Sequence, residues 1–557
     1  MTIKEHFLPL QSAYRHEKEI TDTVYITQPM GGAEIRTYTW GQTLAEARLM
    51  AGYLKAQGFT AGSRIAILSK NCAEFVITEL AIWMAGHITV ALFPTLDEKT
   101  VKYILSHSEA SMLFVGKLDV WDEMKPGVPE DLPRVAYTLA PPTDYKKWAD
   151  CVDESDPIEG SPTRDGDDTA MIIYTSGSTG QPKGVEITFN NLGFTNDGIA
   201  KVFSLSASDR LLSYLPLAHS FERMAVENLS IYTGCQLFFA ESLTTFVQDL
   251  RRARPTLFIS VPRLWLKFQL GVFKKMPPKK LKTFLKIPIL KSIVKKKLKK
   301  GLGLDATRFA ISGSAPIPPD LVQWYRDIGL ELLEGYGMTE NIAFSHCSQP
   351  GRTRVGYVGN CFPGVEHKIG ENDEILIRSP ATMKGYYKDP EATKEAINSD
   401  GWLLTGDRGE IDDQGRLRIT GRVKELFKTS KGKYVAPVPL ENDLNNDHHI
   451  ELSCVFGSGY PQPCAVVQLG EDLRPKMGDK AFRDEVTAAF TQLREDINKE
   501  VPVYERLEFI VVAKDEWLIE NGFLTPTMKI KRSVLEDAYG PQLDTWYGAK
   551  QSVVWEE

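Results

Sequence analysis

The run MIIYTSGSTGQPKGVEIT (171–188) sets an apolar, strand-forming stretch before a loop dense in Gly, Ser and Thr, then Lys183, then an alternating strand. Such a loop can aim backbone N–H groups and hydroxyls at phosphate oxygens, because glycine permits conformations that a Cβ blocks. Lys183 adds a positive charge, although a lysine packed on the loop or solvated would look the same. The pattern is not Walker A. Counted from Gly177, Pro182 stands at the second glycine position, and Gly184 follows the lysine where a Ser or Thr would meet Mg2+. Nor does it read G-x-G-x-x-G into a helix, so a dinucleotide-binding fold is not implied.

Six further segments follow in order: SYLPLAHSFERM (213–224), ISGSAP (311–316), EGYGMTE (334–340), GWLLTGDRGEI (401–411), GRVKELFKTSKGKYVAP (421–437) and LTPTMKIKR (524–532). With YTSGSTGQPKG (174–184) they resemble the signatures of the adenylate-forming superfamily, which includes acyl-CoA synthetases, peptide-synthetase adenylation domains and luciferases. LAHSFER, KTSKGKYVAP and LTPTMKIKR are most similar to the long-chain fatty acyl-CoA synthetase branch. The resemblance implies ATP activation of a carboxylic acid, with Mg2+, to an acyl-adenylate and pyrophosphate, followed by transfer of the acyl group to CoA. It leaves open a ligase of the same chemistry for an aryl acid or a carrier-protein acceptor. A non-catalytic lipid- or nucleotide-binding protein is the alternative of another class.

The roles that follow are implied by that resemblance. Thr175, Ser176, Gly177, Ser178, Thr179, Gly180 and Lys183 would hold the β- and γ-phosphates. Gly313, Ser314, Ala315 and Pro316 would wall the adenine pocket, with Tyr336 on the adenine face and Gly337 beside it. Thr339 would lie near the α-phosphate, and Glu340, with Thr175, would serve Mg2+, a cation that prefers hard oxygen ligands. Asp407 would accept from the two ribose hydroxyls, which suits a carboxylate's two oxygens, and Arg422 would reach the same sugar; an Asp–Arg ion pair is the plainer alternative. His219 would line the carboxylate end of the acyl pocket. No Asp stands in 213–224 to hold a substrate ammonium, which favours an uncharged tail. Lys529 would bridge the carboxylate and the α-phosphate, with Lys531 and Arg532 as close competitors; many relatives have Gly where this chain has Met528. Lys424 resembles a hinge, and Ser430, Lys431 and Gly432 would enter the site for the CoA step.

Helical and strand-like patterns alternate up to about residue 420, as in TLAEARLMAGYLKAQGF (43–59) followed by RIAILS (64–69), the rhythm of a parallel α/β sheet. Phe75–Pro94 has the length of a membrane span but contains Glu79 and His87, and reads as a buried helix running into a core strand. After residue 400 short β pieces take over, with Asp413-Gln414-Gly415 as a hairpin turn. The expected fold is a large α/β N-terminal domain of several subdomains (1–421), a hinge (422–424) and a small, mobile α+β C-terminal domain (425–557) with a helix over 484–500.

The 557 residues carry 66 basic and 73 acidic side chains, a formal charge of −7, which argues against a general nucleic-acid binder. Seven scattered cysteines without Cys-x-x-Cys spacing argue against a disulfide framework or a zinc site and fit a reducing compartment. The N-terminus lacks a signal-peptide pattern. Residues 267–300 hold thirteen lysines and no Asp or Glu, leaving −20 on the rest of the chain. This basic segment (267–303) ends in an expected helix from Pro288 to about Gly301, with Ile287, Leu290, Ile293, Val294 and Leu298 on one side. Such a helix can lie on anionic lipid; a helix packed on the body with a solvated lysine face, and a positive rim attracting CoA phosphates, are the alternatives. The expectation is a cytoplasmic enzyme working peripherally at a membrane. A homodimer stays open.

Overall fold

The computed structural model describes residues 8–175, 181–525 and 528–557. The first helix–strand pair shows how the rhythm is set: a capping box between Thr39 and Gln42 opens the helix Trp40–Ala56. The strand Arg64–Leu68 then pairs in parallel with Ile88–Leu92 and Ala110–Val115. The suspected span is the helix Ala73–Met84, buried at all twelve positions, followed by that core strand Ile88–Leu92. Its Glu79 is tolerated because Arg223 pairs with it. No helix among the described residues is long and apolar enough to cross a membrane.

These strands belong to an eight-stranded sheet that also contains Thr169–Thr175 and its antiparallel return Lys183–Thr188. A second sheet of five strands sets Leu257–Ser260, Phe309–Ser312 and Leu332–Tyr336 side by side in parallel, then His346–Cys347 and Asn360–Cys361 antiparallel at its end. A four-stranded antiparallel sheet follows, with Leu403–Ile411 and Leu417–Arg422 joined through the expected turn, where Gly415 has φ +72°. The C-terminal unit has its own sheet of Ile450–Phe456, Cys464–Leu469, Ile510–Val512 and Val553–Trp555, its own apolar core and the helix Lys480–Glu500.

The small unit sits against the large one through ion pairs of Arg263 with Glu451, Lys267 with Glu471 and Lys274 with Asp472. The basic segment comprises the end of the helix Pro262–Lys275 and the helices Pro278–Lys286 and Pro288–Leu302. The last of these buries none of its residues. Its expected apolar side divides: Leu298 packs partly on the body, whereas Ile287, Leu290 and Ile293 are exposed, as is Ile289.

Candidate active site

Strand ends converge on one cavity of about 1660 Å3, at the carboxyl ends of the parallel strands, where α/β sheets bind ligands. Thr175 arrives at the end of its strand opposite Lys183, whose carbonyl accepts from Thr175 Oγ1 at 3.4 Å. The turn between them, with Ser176, Gly177, Ser178, Thr179 and Gly180, lies outside the described residues. The strands Phe309–Ser312 and Leu332–Tyr336 run directly into Gly313, Ser314, Ala315 and Pro316 and into Tyr336, Gly337, Thr339 and Glu340, all of which line the cavity. Gly337 is required there, since a Cβ would come within 2.5 Å of the Ala343 backbone.

Asp407 and Arg422 are cross-strand partners, with Arg422 Nε 3.1 Å from Asp407 Oδ1. The Tyr336 hydroxyl donates to the other oxygen, Oδ2, at 2.7 Å. The ion pair weighed as the plainer reading therefore exists, and it faces the cavity together with the tyrosine. Thr339 Oγ1 lies 3.3 Å from Ser220 Oγ, which brings the His219 segment onto the EGYGMTE turn.

His219 caps a short helix: the Phe221 N–H donates to its Nδ1 at 3.1 Å, so the proton of the neutral ring sits on Nε2. Burial, reinforced by the nearby Lys529 ammonium, pulls its pKa down to about 3, and the ring is neutral at physiological pH. Lys529 shares that space. Burial and then the Arg422 charge lower its pKa to about 8, against the opposing pull of Asp407. Its competitors Lys531 and Arg532 line the same cavity, and Arg532 is engaged there by a two-pronged pair with Glu441, at 2.7 and 2.9 Å.

The turn that presents Lys529 is closed by Thr525 N–H to the Lys529 carbonyl and by the Lys529 N–H to Thr525 Oγ1. Met528 sits in it with φ +62°, a left-handed conformation that glycine adopts without strain. This explains why glycine serves at this place elsewhere and Met528 is the departure. Met528→Gly is expected to adenylate at least as fast as the wild type. Met528→Val, β-branched in the same conformation, should lose about tenfold, roughly 1–2 kcal/mol of added strain. Single-turnover adenylate formation reads both; a Val variant as fast as the Gly one would separate the turn from Lys529 placement.

Two contributors escaped the sequence reading. Glu334 lines the cavity with Oε1 lacking a hydrogen-bond partner among the described residues, and burial pushes its pKa up to about 8. Tyr386 donates from its hydroxyl to Glu340 Oε1 at 2.7 Å, fixing that carboxylate. Its ring carries Lys183 Nζ at 5.0 Å. Lys183 itself is exposed and does not line the cavity. Nor do Ser430, Lys431 and Gly432, which lie exposed on the hairpin between Phe427–Lys428 and Tyr434–Val435. Lys424 does line it, in the turn that leads into the small unit. Glu222 and Arg223, adjacent in sequence, do not pair with each other. Arg223 binds Glu79 and Glu227, while Glu222 accepts from Ser213 Oγ and the Tyr214 N–H.

Comparison with known proteins supports the same picture. The AMP-binding enzyme model matches residues 12–387, and the AMP-binding enzyme C-terminal domain model matches 425–551. The long-chain-fatty-acid–CoA ligase FadD15 of Mycobacterium bovis is 28% identical over 98% of this chain and 98% of its own. The putative fatty-acid–CoA ligase fadD11 of Mycobacterium tuberculosis is 31% identical over 69% of this chain and 74% of its own. Among solved structures, the anthranilate CoA ligase AuaEII in complex with anthranoyl-AMP superposes with a TM-score of 0.79 at 21% identity, covering 97% of this chain and 99% of that one. The o-succinylbenzoate CoA synthetase of Bacillus subtilis in complex with ATP and magnesium gives 0.71 at 22%, covering 94% and 99%. With its motifs gathered on one cavity and both family models matched, the chain belongs to the AMP-binding enzyme family and is an adenylate-forming ligase.

Proposed function

We propose that this chain is an AMP-forming long-chain fatty acid:CoA ligase. The observation that carries the reading is the cavity itself, in which Lys529, His219, Thr339 and Asp407 meet and which continues along Ile199, Phe203, Leu257 and Ile259. These four aliphatic and aromatic side chains give part of the lining an apolar surface beside the polar groups, which suits a carboxylate on an uncharged chain. The names of the relatives support the same substrate class.

In this mechanism the His219 Nε2–H orients the substrate carboxylate toward the α-phosphorus. Lys529 spans the carboxylate and the α-phosphate, and its ammonium offsets charge that grows in the transition state. Thr339 borders the α-phosphate, Thr175 and its loop hold the outer phosphates, Tyr336 and residues 313–316 hold adenine, and Asp407 with Arg422 holds the ribose. Glu340 and Thr175 are hard oxygen donors, with Glu340 oriented by Tyr386; they suit Mg2+, which when bound neutralises phosphate charge. The second half-reaction needs room where Lys529 stands. The small domain (425–557) then swings about Lys424, away from residues 1–421, and carries Ser430, Lys431 and Gly432 toward the acyl carbonyl. ATP–pyrophosphate exchange across a panel of acids, followed by CoA transfer, tests the assignment; exchange with aryl acids and none with C12–C18 acids overturns the long-chain reading.

The basic helices add a membrane surface to this function. Ile289 and Ile293 are 77% and 57% exposed beside a run of lysines, and each lysine near an anionic bilayer contributes about 1 kcal/mol. Changing the lysines of 291–300 to Gln is expected to weaken sedimentation with anionic liposomes by at least ~100-fold and to flatten its salt dependence. Equal binding by both proteins removes the lipid contact.

A further inference from the structure

Behind Tyr336 the β-register sets His346 against Cys361, and the meeting of two sheets adds His367, a trio that no spacing rule announces. His346 pairs across the ladder with Tyr336 on one side and with Cys361 on the other, and its imidazole lies wholly buried at the cavity wall. His346 Nε2 is approached by Cys361 Sγ at 3.2 Å and by His367 Nδ1 at 2.7 Å. All three atoms fall within 4.8 Å of one another. On the far side of the ring, His346 Nδ1 lies 2.8 Å from Ser345 Oγ, the outer partner that fixes the ring of a metal-bound histidine. A single Nε2 faces two groups that would both use it, an arrangement a cation resolves better than a shared proton.

We propose that His346 Nε2, His367 Nδ1 and Cys361 Sγ form a binding site for a borderline-soft divalent cation, Zn2+ in the first place. Two imidazoles and a thiolate are the ligand set for such an ion and not for Mg2+. Burial lowers the pKa of both histidines, which favours the neutral rings that a cation needs. On binding, Cys361 releases its thiol proton to solvent and forms the Zn–S bond; each histidine binds through one nitrogen and keeps the proton on the other. Tetrahedral bonds of about 2.0–2.3 Å set ligand atoms roughly 3.3–3.6 Å apart, so Cys361 and His367 each move away from His346 Nε2 by about half an ångström. Cys361 and His367 are only half-buried, which supplies the entry path. A fourth position is left for water.

The site joins two parts of the nucleotide pocket. His346 and Cys361 lie in the sheet that carries Tyr336, whereas His367 lies in the strand Glu366–Ile369 of the sheet that carries Asp407 and Arg422. A cation there ties the adenine wall to the ribose-binding carboxylate.

Cys361 is the one cysteine of the seven that is not buried, which gives a direct reading. Burial pushes the Cys361 thiol pKa up to about 12, so in the chelator-treated full-length chain a disulfide-exchange reagent should modify one thiol slowly and faster as pH rises. Zn2+ should slow that reaction by at least ~100-fold while Mg2+ does not. Co2+ should give a thiolate-to-metal charge-transfer band that Cys361→Ser abolishes. His367→Gln should weaken Zn2+ binding by ~100-fold or more and keep the thiol reactive in its presence, and it needs no change at the cysteine should the Ser variant fold poorly. Zn2+ that binds without protecting Cys361, as it would at the second group Asp447, His448 and His449, overturns the proposal, as does protection that survives His367→Gln.

Discussion

Lys529→Ala is expected to lower the rate of acyl-adenylate formation by about 10³ while leaving ATP affinity within a few-fold of wild type, since one preorganised charge on a developing transition state is worth roughly 2.7–4 kcal/mol. The residue faces the cavity beside Arg422, Asp407 and His219, so its contribution arises when carboxylate and α-phosphate converge and not when ATP alone enters. Its protonation supplies a second reading. Burial and Arg422 bring its pKa from 10.5 down to about 8, and the charged form is the active one. In the free enzyme, kcat/KM for adenylation should therefore fall as pH rises through about 8, by about tenfold per unit once most of the lysine is neutral. Bound phosphates favour the ammonium, so the same limb in kcat should lie at higher pH. Lys529→Arg, charged throughout, should remove the limb even where its geometry lowers the rate. A limb that persists in the Arg variant, or turnover unchanged in the Ala variant, would take Lys529 out of the chemistry.

What the chain discloses before folding is set by how local the information is. The helix Trp40–Ala56 and the strand Arg64–Leu68 follow from hydrophobic period and the Thr39–Gln42 cap, all within a few residues. The roles of the EGYGMTE and TGD residues come from the resemblance of their motifs and not from any local pattern, and Tyr336, Thr339, Glu340 and Asp407 all line one cavity. The pairing of Asp407 with Tyr336, 71 residues away, needs two sheets to meet, and no pattern in either segment announces it. Glu222 and Arg223 show how little adjacency says about contact, because helical geometry points consecutive side chains apart. Arg223 instead meets Glu227 four residues on and Glu79 across the core. The buried Glu334 escaped because residue type says nothing of burial, and a carboxylate is usually solvated. Met528 was visible as a departure, yet its meaning lay in a positive φ. His346, Cys361 and His367 are spaced 15 and 6 apart; cross-strand register joins the first two, and the packing of a second sheet brings His367 to them.

Asp407→Ala is expected to weaken ATP binding by about 10²–10⁴-fold with a far smaller effect on the rate at saturating ATP. The carboxylate has two oxygens, and Tyr336 and Arg422 each hold one. They fix its orientation and leave further lone pairs for a vicinal diol. Two hydrogen bonds to a charged acceptor, each worth about 1.5–3 kcal/mol, set the size of the loss. The loss is one of ground-state binding, because the ribose hydroxyls do not change charge during attack at the α-phosphorus, so it belongs in KM for ATP and not in kcat. Asp407→Asn, which keeps one acceptor oxygen and the side-chain shape, should fall between wild type and Ala. A 2′-deoxy nucleotide should then be discriminated by wild type and scarcely by the Ala variant, because the partner that reads the hydroxyl is gone. Melting measured without nucleotide separates this from general damage: Asp407 is nearly buried, and Tyr336 and Arg422 both lose their partner in the Ala variant. If Ala and wild type bind ATP alike, or if discrimination against the deoxy sugar survives the substitution, Asp407 serves only as the counter-ion of Arg422 and the ribose is read elsewhere.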